Sequence, residues 1–577
     1  MNRNVESRFA EIPSVDIQRS IFDRSSTHKT SFNVGELIPF YIDEVLPGDS
    51  FQVTTSKVCR LQTLLTPVMD NLYLDTYFFF VPNRIVWSHW KEFQGENSSS
   101  AWVPAVEYQI PSISSPAGGF ATGTIADYLG LPVGVEWTNS DSRRPSALPF
   151  RAYALICNEF FRDENLTDPL NIPLGDANQT GSNGDNYLVD VANGGKPFKV
   201  AKYHDYFTSC LPGPQKATDP VSVPLPSFQG GTYPVLTSPN AVPFSEFNNI
   251  PYASYGKLYS NTAGMQDWTS MPAQPSVNTF SWNRDIAMIH SSNPSTGISS
   301  PLVDGEAYEF PANLAVTIPG SESGSFSINE LRLAFQLQKY YEKLARGGSR
   351  YFEVLKQMFG VTSPDARLQR PEYLGGNRIP ITVHEVLNNA QGEKDFLGDL
   401  GAMSITADVH EDFSHSFVEH GYVIGVCCLR YDHSYPQGLE RFWSRREVTD
   451  FYLPVFANIG EQPVYASEIC ATSQNIADAS IFGFQECWAD YRYKPNRVSA
   501  EMRPGITNTL ASWHFADYYS TPPTLSDGWI REDKSNVDRT LAVTSAVSNQ
   551  AFADFYVKNI CTRCMPTYSI PGLIDHH

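Results

Sequence analysis

The sequence predicts a mainly-β protein: a β-sandwich of short strands with long elaborated loops and a few short helices. Three observations carry that expectation. Aromatic residues make up 13% of the 577, beside 41 Pro and 38 Gly, while charged residues stop at 18%. Rings and β-branched groups suit a pleated, half-buried surface, and Pro and Gly punctuate turns. Strand-like runs recur along the chain with irregular segments between them. The helical stretches are short and isolated, which excludes a bundle or coiled coil, and this composition also excludes a disordered chain.

The first 45 residues alternate charge, with Arg3, Arg8, Arg19 and Arg24 set against Glu6, Glu11, Asp16 and Asp23. They offer little for a core, so residues 1–45 are expected to form an extended arm or a frayed terminus. A single sandwich domain is expected over 46–577. FQVTTSKVCRLQT from Phe51 and the aromatic run Asn71–Val81 read as strands, the second ending at Pro82. Asn83 fits the N-cap of a short helix with Val86, Trp90 and Phe93 on one face. A second helix is expected across Phe150–Phe161, where Phe150, Tyr153, Cys157 and Phe160 recur at helical spacing. Asp168 to Gly195, dense in Asn, Asp and Gly, reads as an exposed loop.

From Val221 to Gly324 the chain is rich in Pro, Ser and Asn. A structureless connection of that length is improbable inside a compact domain. Residues 221–324 are therefore expected to be a surface insertion with its own packing, held by Trp268 and Trp282 among others. The clearest helix follows. Ser327-Ile-Asn-Glu330 fits a capping box, Leu333, Leu337, Tyr340 and Leu344 share a face, and Gly347-Gly348 supplies the stop. Ser349–Gly360 reads as another short helix, again closed by glycine. Strand signals resume at Ile405–Phe413, Val418–Asp432 and Thr449–Ala457.

The net charge of -20 and pI near 5.0 disfavour a free-standing nucleic-acid binder, since phosphate contacts need clustered Lys and Arg. They still permit a local basic face. The start, MNRNVESRFAEIPSVDIQ, lacks the apolar stretch of a signal peptide, and no run approaches the roughly 20 apolar residues of a membrane helix. Folding in a reducing cytoplasm without membrane insertion is the expectation, consistent with nine scattered cysteines. Cys561 and Cys564 form a lone C-x-x-C and read as buried thiols rather than half of a zinc site.

Catalytic signatures come only as near misses. His410-Glu411 with His415 gives H-E-x-x-x-H instead of the H-E-x-x-H of a zinc helix, on a stretch that reads as strand. Phosphate loops, dinucleotide fingerprints and nucleophile elbows are missing. The expectation is therefore no enzyme, no cofactor and no metal site. Two stretches do have nucleic-acid character. One places Arg441, Arg445 and Arg446 beside Phe442 and Trp443; the other interleaves Tyr491 and Tyr493 with Arg492, Lys494 and Arg497. Rings with nearby cations can stack on and neutralise single-stranded nucleic acid. The alternative is a strand edge whose arginines pair with acids of a neighbouring subunit.

SPDARLQRPEYLGG (Ser363–Gly376) and the helix INELRLAFQLQKYYEKLARGGSRYFEVLK before it closely resemble hallmark stretches of the major capsid proteins of gokushoviruses, a branch of the Microviridae. ELIPFYIDEVLPGDSF (Glu36–Phe51), HDYFTSCLPGPQK (His204–Lys216), VEHGYVIG, FWSRR, WADYRYKPNRV and the terminal PTYSIPGLIDHH extend the resemblance over roughly 1–220 and 325–577. It implies an antiparallel eight-stranded jelly roll, sixty copies of which form a T = 1 shell around circular single-stranded DNA. It also implies assembly in the bacterial cytoplasm and a place in the virion. A small basic DNA-binding virion protein and a minor capsid or pilot protein are the implied partners. In relatives the region matching 221–324 rises at the three-fold axes as a suspected host-receptor surface. The alternative from another class is a carbohydrate-binding or hydrolysing β-sandwich, which predicts secretion and a monomer. A minor virion spike is a third.

Overall fold

The computed structural model describes residues 18–97, 106–138, 140–141, 143–217, 328–389 and 397–568, and the backbone of four short strands between 231 and 318. The chain divides into two units, one of residues 1–219 and 339–577, the other of residues 220–338. In the first unit the sandwich strands are β1 (Arg19–Asp23), β2 (Ser26–Phe32), β3 (Ile38–Val45), β4 (Ser50–Leu61), β5 (Leu72–Pro82), β6 (Glu372–Pro380), β7 (Thr406–Ser416), β8 (Gly421–Tyr431) and β9 (Ala551–Cys564). β1 and β2 are one strand interrupted at residues 24–25, since both pair with β9. One sheet runs β1/β2–β9–β4–β7 and the other β6–β5–β8–β3, all antiparallel. Successive strands alternate between sheets except at β5–β6. That is the connectivity of an eight-stranded jelly roll.

The two sheets differ in what covers them. β9 alternates, with Ala551, Ala553, Phe555, Val557 and Cys561 buried and Phe552, Tyr556 and Lys558 facing out, as a strand with one solvated face does. β5 and β8 do not alternate. Phe78, Phe79, Phe80 and Val81 are all buried, as is the stretch from Val423 to Leu429. Such runs arise where both faces of a sheet are covered.

On the inner face, Phe40 of β3 stacks on Phe555 of β9 at 4.5 Å, and Phe78 meets Phe413 at 5.4 Å across the sandwich. On the outer face, Phe79, Val81, Ile424 and Val426 share a second core with helix α1 (Leu148–Ile156) and Trp87. Tyr153 of α1 donates its hydroxyl to the Leu37 carbonyl. Buried Arg151 donates to Gln179 Oε1 at 2.7 Å and to the Gly175 carbonyl at 3.0 Å. Burial lowers its pKa to about 10. β6 passes so close to its neighbours that a side chain at Gly376 would lie 2.1 Å from the Thr76 carbonyl oxygen.

Several sequence expectations need correction. Residues 1–17 lie outside the described residues, but residues 19–45, expected in an arm, form β1, β2 and β3 with Phe32, Ile38 and Phe40 in the core. Arg19, Asp23 and Lys29 sit on the solvated side of β1 and β2, while Asp43 is buried on β3 and paired with Arg24. Residues 168–195 are irregular but not simply exposed: Leu170, Val191 and Ala192 enter the second core. Asn83 begins its helix one place after the cap, Pro82. Thr449–Ala457 is not a strand; it lies in 3₁₀ turns at Val448–Asp450 and Pro454–Phe456. Cys564 is exposed while Cys561 is buried. Helix α2 (Ile328–Gly347) follows Ser327, which lies outside the described residues, and α3 (Tyr351–Phe359) closes on Gly360 at φ 70°. The expected insertion 221–324 falls in the second unit. There the described backbone pairs Gly231–Pro234 with Ala315–Ile318 and Trp282–Asn283 with Ile286–Ala287.

The longest connections are residues 83–371 and 432–550. Two buried ionic clusters fix them to the sandwich. Asp75 on β5 accepts from Arg378 of β6 at 2.8 Å, Arg430 of β8 at 2.7 Å and the Tyr203 hydroxyl at 2.7 Å. His433, just past β8, has Nδ1 2.9 Å from Asp517 Oδ2 and Nε2 2.8 Å from Glu532 Oε1. Burial works against its charge, but the two carboxylates prevail and lift its pKa to about 9. The imidazolium in turn holds Asp517 below the usual carboxylate range despite burial.

Phe555→Ala should cost about 3–5 kcal/mol in denaturant unfolding of the subunit, whereas Phe552→Ala, on the same strand but facing out, should cost under about 1 kcal/mol. Equal losses would contradict the sandwich assignment. Because folded His433 holds its proton more tightly than the unfolded chain does, its stabilisation is complete below about pH 6.5 and is lost as pH rises through about 9. The thermal midpoint should therefore fall across that window. His433→Gln should lower it at pH 6.5 by the equivalent of about 3–5 kcal/mol and flatten the slope; a variant with the wild-type slope would show that the triad does not govern the pH dependence.

Candidate nucleic-acid interface

The 432–550 connection carries both arginine-aromatic stretches, and the fold brings them onto one cleft of about 610 Å³. Its floor is a third small core in which Tyr206, Phe207, Tyr435 and Phe482 pack. Arg441 opens a 3₁₀ turn, Arg441–Ser444, and Tyr491 ends another, Ala489–Tyr491. Neither stretch is a strand edge.

Arg441, Arg445, Tyr491, Arg492, Tyr493, Lys494 and Arg497 all line the cleft, and Arg503 joins them. Arg446 is exposed outside this lining. Trp268 lies outside the described residues, and of Trp282 only the backbone is described. Tyr493 is committed to the floor, stacked on Tyr206 at 5.1 Å. Phe442, Trp443 and Tyr491 keep exposed rings.

Five of the cations meet acids of the same chain. Arg445 pairs with Asp490, Lys494 and Arg497 both pair with Glu440, and Arg492 meets Glu486 at 2.6 Å. Arg441 donates to the Pro463 carbonyl at 3.0 Å and lies 3.5 Å from Glu468. Burial raises Glu468 above the ordinary carboxylate range even beside Arg441. For Glu440, burial is outweighed by hydrogen bonds from Lys494 and Arg497, which hold it below that range. Stacking adds to the pairing. The Arg445 guanidinium sits 4.1 Å from the Tyr491 ring centre and Lys494 Nζ 5.2 Å from that of Phe442.

Six cationic side chains against three carboxylates line this cleft. With Glu486 counted from just outside, two positive charges remain in excess on a chain of net charge -20. The arrangement suits a polyanion with flat bases: phosphates can exchange for Glu440 at Lys494 and Arg497, and exposed rings can stack. Sequence reasoning found the cations but missed the acids that hold them, and missed Tyr206, Tyr435 and Arg503, which come from distant stretches. HDYFTSCLPGPQK contained Tyr206, but no local pattern ties it to residue 493.

The H-E-x-x-x-H stretch lies on β7. His410 Nδ1 is 3.0 Å from Asp412, and His415 packs against Phe417. Among the described residues, no cluster of three or more His, Cys, Asp or Glu is arranged to hold a metal ion, and no helix is long and apolar enough to cross a membrane.

Comparison with known proteins covers almost the whole chain. A family profile described as "Capsid protein (F protein)" matches residues 10–573. Capsid protein VP1 of Chlamydia phage 1 is 39% identical over 605 aligned positions, covering 99% of this chain and 98% of that protein. Capsid protein VP1 of Spiroplasma virus 4 is 40% identical, covering 95% and 94%. Capsid protein VP1 of Bdellovibrio phage phiMH2K is 36% identical, covering 99% and 98%.

Proposed function

The chain belongs to the phage capsid protein (F protein) family, and from that premise we propose that sixty copies close a T = 1 icosahedral shell around a circular single-stranded DNA genome, with the arginine-aromatic cleft facing it. The coarser statement stands on the family alone: this is a structural capsid protein of the virion that assembles with copies of itself. Its work is contact, not turnover, and no catalytic step or cofactor enters the reading. Assembly takes place in the host bacterial cytoplasm.

The observation that carries the genome contact is the convergence of the two stretches on one cleft with surplus positive charge. The charge of the whole shell argues for helpers. Sixty copies at -20 each amount to about -1200, so the shell repels its cargo except at local basic sites. A small basic DNA-binding virion protein, or polyvalent cations, would supply the missing neutralisation, and a minor capsid or pilot protein completes the particle. The 221–324 insertion, with Trp268 and Trp282, is assigned to a host-cell surface receptor, on the strength of its position in the chain and its divergent composition.

Neutralising Arg445, Arg446, Arg492 and Arg497 to Gln should leave shells that close but hold less DNA. It should also weaken binding of the subunit to oligo(dT), reducing the slope of log affinity on log salt by roughly 0.7 for each phosphate that is no longer neutralised. Glu440→Gln should act the other way, raising affinity by freeing Lys494 and Arg497. Packaging and oligo(dT) binding unchanged in the fourfold variant would remove the cleft from the genome contact.

A further inference from the structure

The stretch Thr449–Ala457 reads as a strand because it is apolar, yet the fold leaves it on the surface. Val448 is 70% exposed, Val455 83% and Ile459 58%, with Phe451 and Leu453 about half-exposed between them. From Phe451 to Gly460 ten consecutive residues carry no charged side chain. This ridge is not a slack loop. The Asp450 carboxylate accepts from the backbone N–H of Arg446 at 2.8 Å and of Glu447 at 2.9 Å. Trp488 Nε1 donates to the Phe456 carbonyl at 2.8 Å, and the Tyr452 ring meets Trp488 edge-on at 5.8 Å.

Apolar side chains held outward on an ordered backbone are the signature of a contact surface. Exposed apolar area costs about 25 cal/mol per Å² relative to burial, and no described residue of this chain covers the ridge. Pre-formed turns also spare a partner the entropy of ordering the loop. The extent fits a protein partner. An aromatic side chain can bury about 150–250 Å², so this set of large, half- to mostly exposed residues approaches the roughly 800 Å² that each side gives to a standard interface.

We propose that the Val448–Ile459 ridge is a shell contact that packs against a second copy of this chain. The proposal rests on the self-association of the family, because a shell protein meets its own copies at every lateral contact. The missing cations support it: from Val448 to Gly460 the chain carries no Lys or Arg, which offers a nucleic acid or an anionic membrane little to bind. The misread strand is then explained, since the apolar pattern serves burial between chains instead of within one.

The test uses the full-length chain expressed with the neighbouring genes of its phage. Val448→Asp with Val455→Asp should leave the dissociated subunit folded by circular dichroism and thermal unfolding but cut the yield of closed particles at least tenfold. Val547→Asp, 81% exposed and outside the ridge segment, should assemble like wild type. A double variant that assembles like wild type would overturn the contact. A separate Val455→Cys chain guards against misfolding. Its thiol should react with a maleimide in the subunit and be protected at least tenfold in the particle, and equal labelling of residue 455 in both would overturn the proposal. If wild type itself forms no particles, the shell reading fails and takes this contact with it.

Discussion

The structure depends on one sheet being buried on both faces. β5 and β8, at the centre of that sheet, carry unbroken runs of apolar residues, so neither face can meet water. The inner face is covered by the other sheet through pairs such as Phe40 with Phe555. The outer face needs a second layer, and the chain provides it from the 83–371 connection, where α1 and Trp87 complete a core with Phe79 and Ile424. Long insertions in this fold are therefore not all ornament. The first half of the longest one is as structural as the strands.

The 432–550 connection, built against the closed sandwich, holds both the cleft and the apolar ridge. His433 locks its start to Asp517 and Glu532, and Tyr435 and Phe482 build the small core below the cleft. The cleft balances most of its positive charge, two charges short of neutrality. Each arginine or lysine that pairs with Glu440, Asp490 or Glu486 is kept in place before any ligand arrives. The exposed pairs at Arg492, Lys494 and Arg497 contribute little stability, but they orient the cations, so that a bound polyanion would exchange phosphate for carboxylate. The apolar ridge lies in the same connection, so the contacts proposed between subunits and with the genome are close neighbours in sequence.

Much of the sandwich is legible in the sequence, and the reasons for the misses are specific. β4, β5, β7 and β8 announce themselves through β-branched and aromatic runs. β1 and β2 do not, because at the sheet edge their outward residues are Arg19, Asp23 and Lys29, and charge alternation masks the pleat. β6 contains two glycines and ends in proline, residues that ordinarily argue against a strand, and Gly376 is there because the backbone of β5 leaves no room for a side chain. The alternation in β9, with Phe555 and Val557 inward and Tyr556 and Lys558 outward, was readable and was missed. The cleft is half legible: cations beside rings are a local pattern, but their acids and the tyrosines beneath them are joined only by the fold. The ridge misleads because apolar sequence does not say which chain will bury it.

Electron cryo-microscopy of particles formed by the full chain with its neighbouring phage genes would test the central claim most directly. The expected result is closed icosahedral shells of this jelly roll, with the cleft between Arg445 and Arg497 facing the interior and nucleic-acid density against it. Particles whose clefts open to the outside, or a protein that never closes a shell, would contradict it.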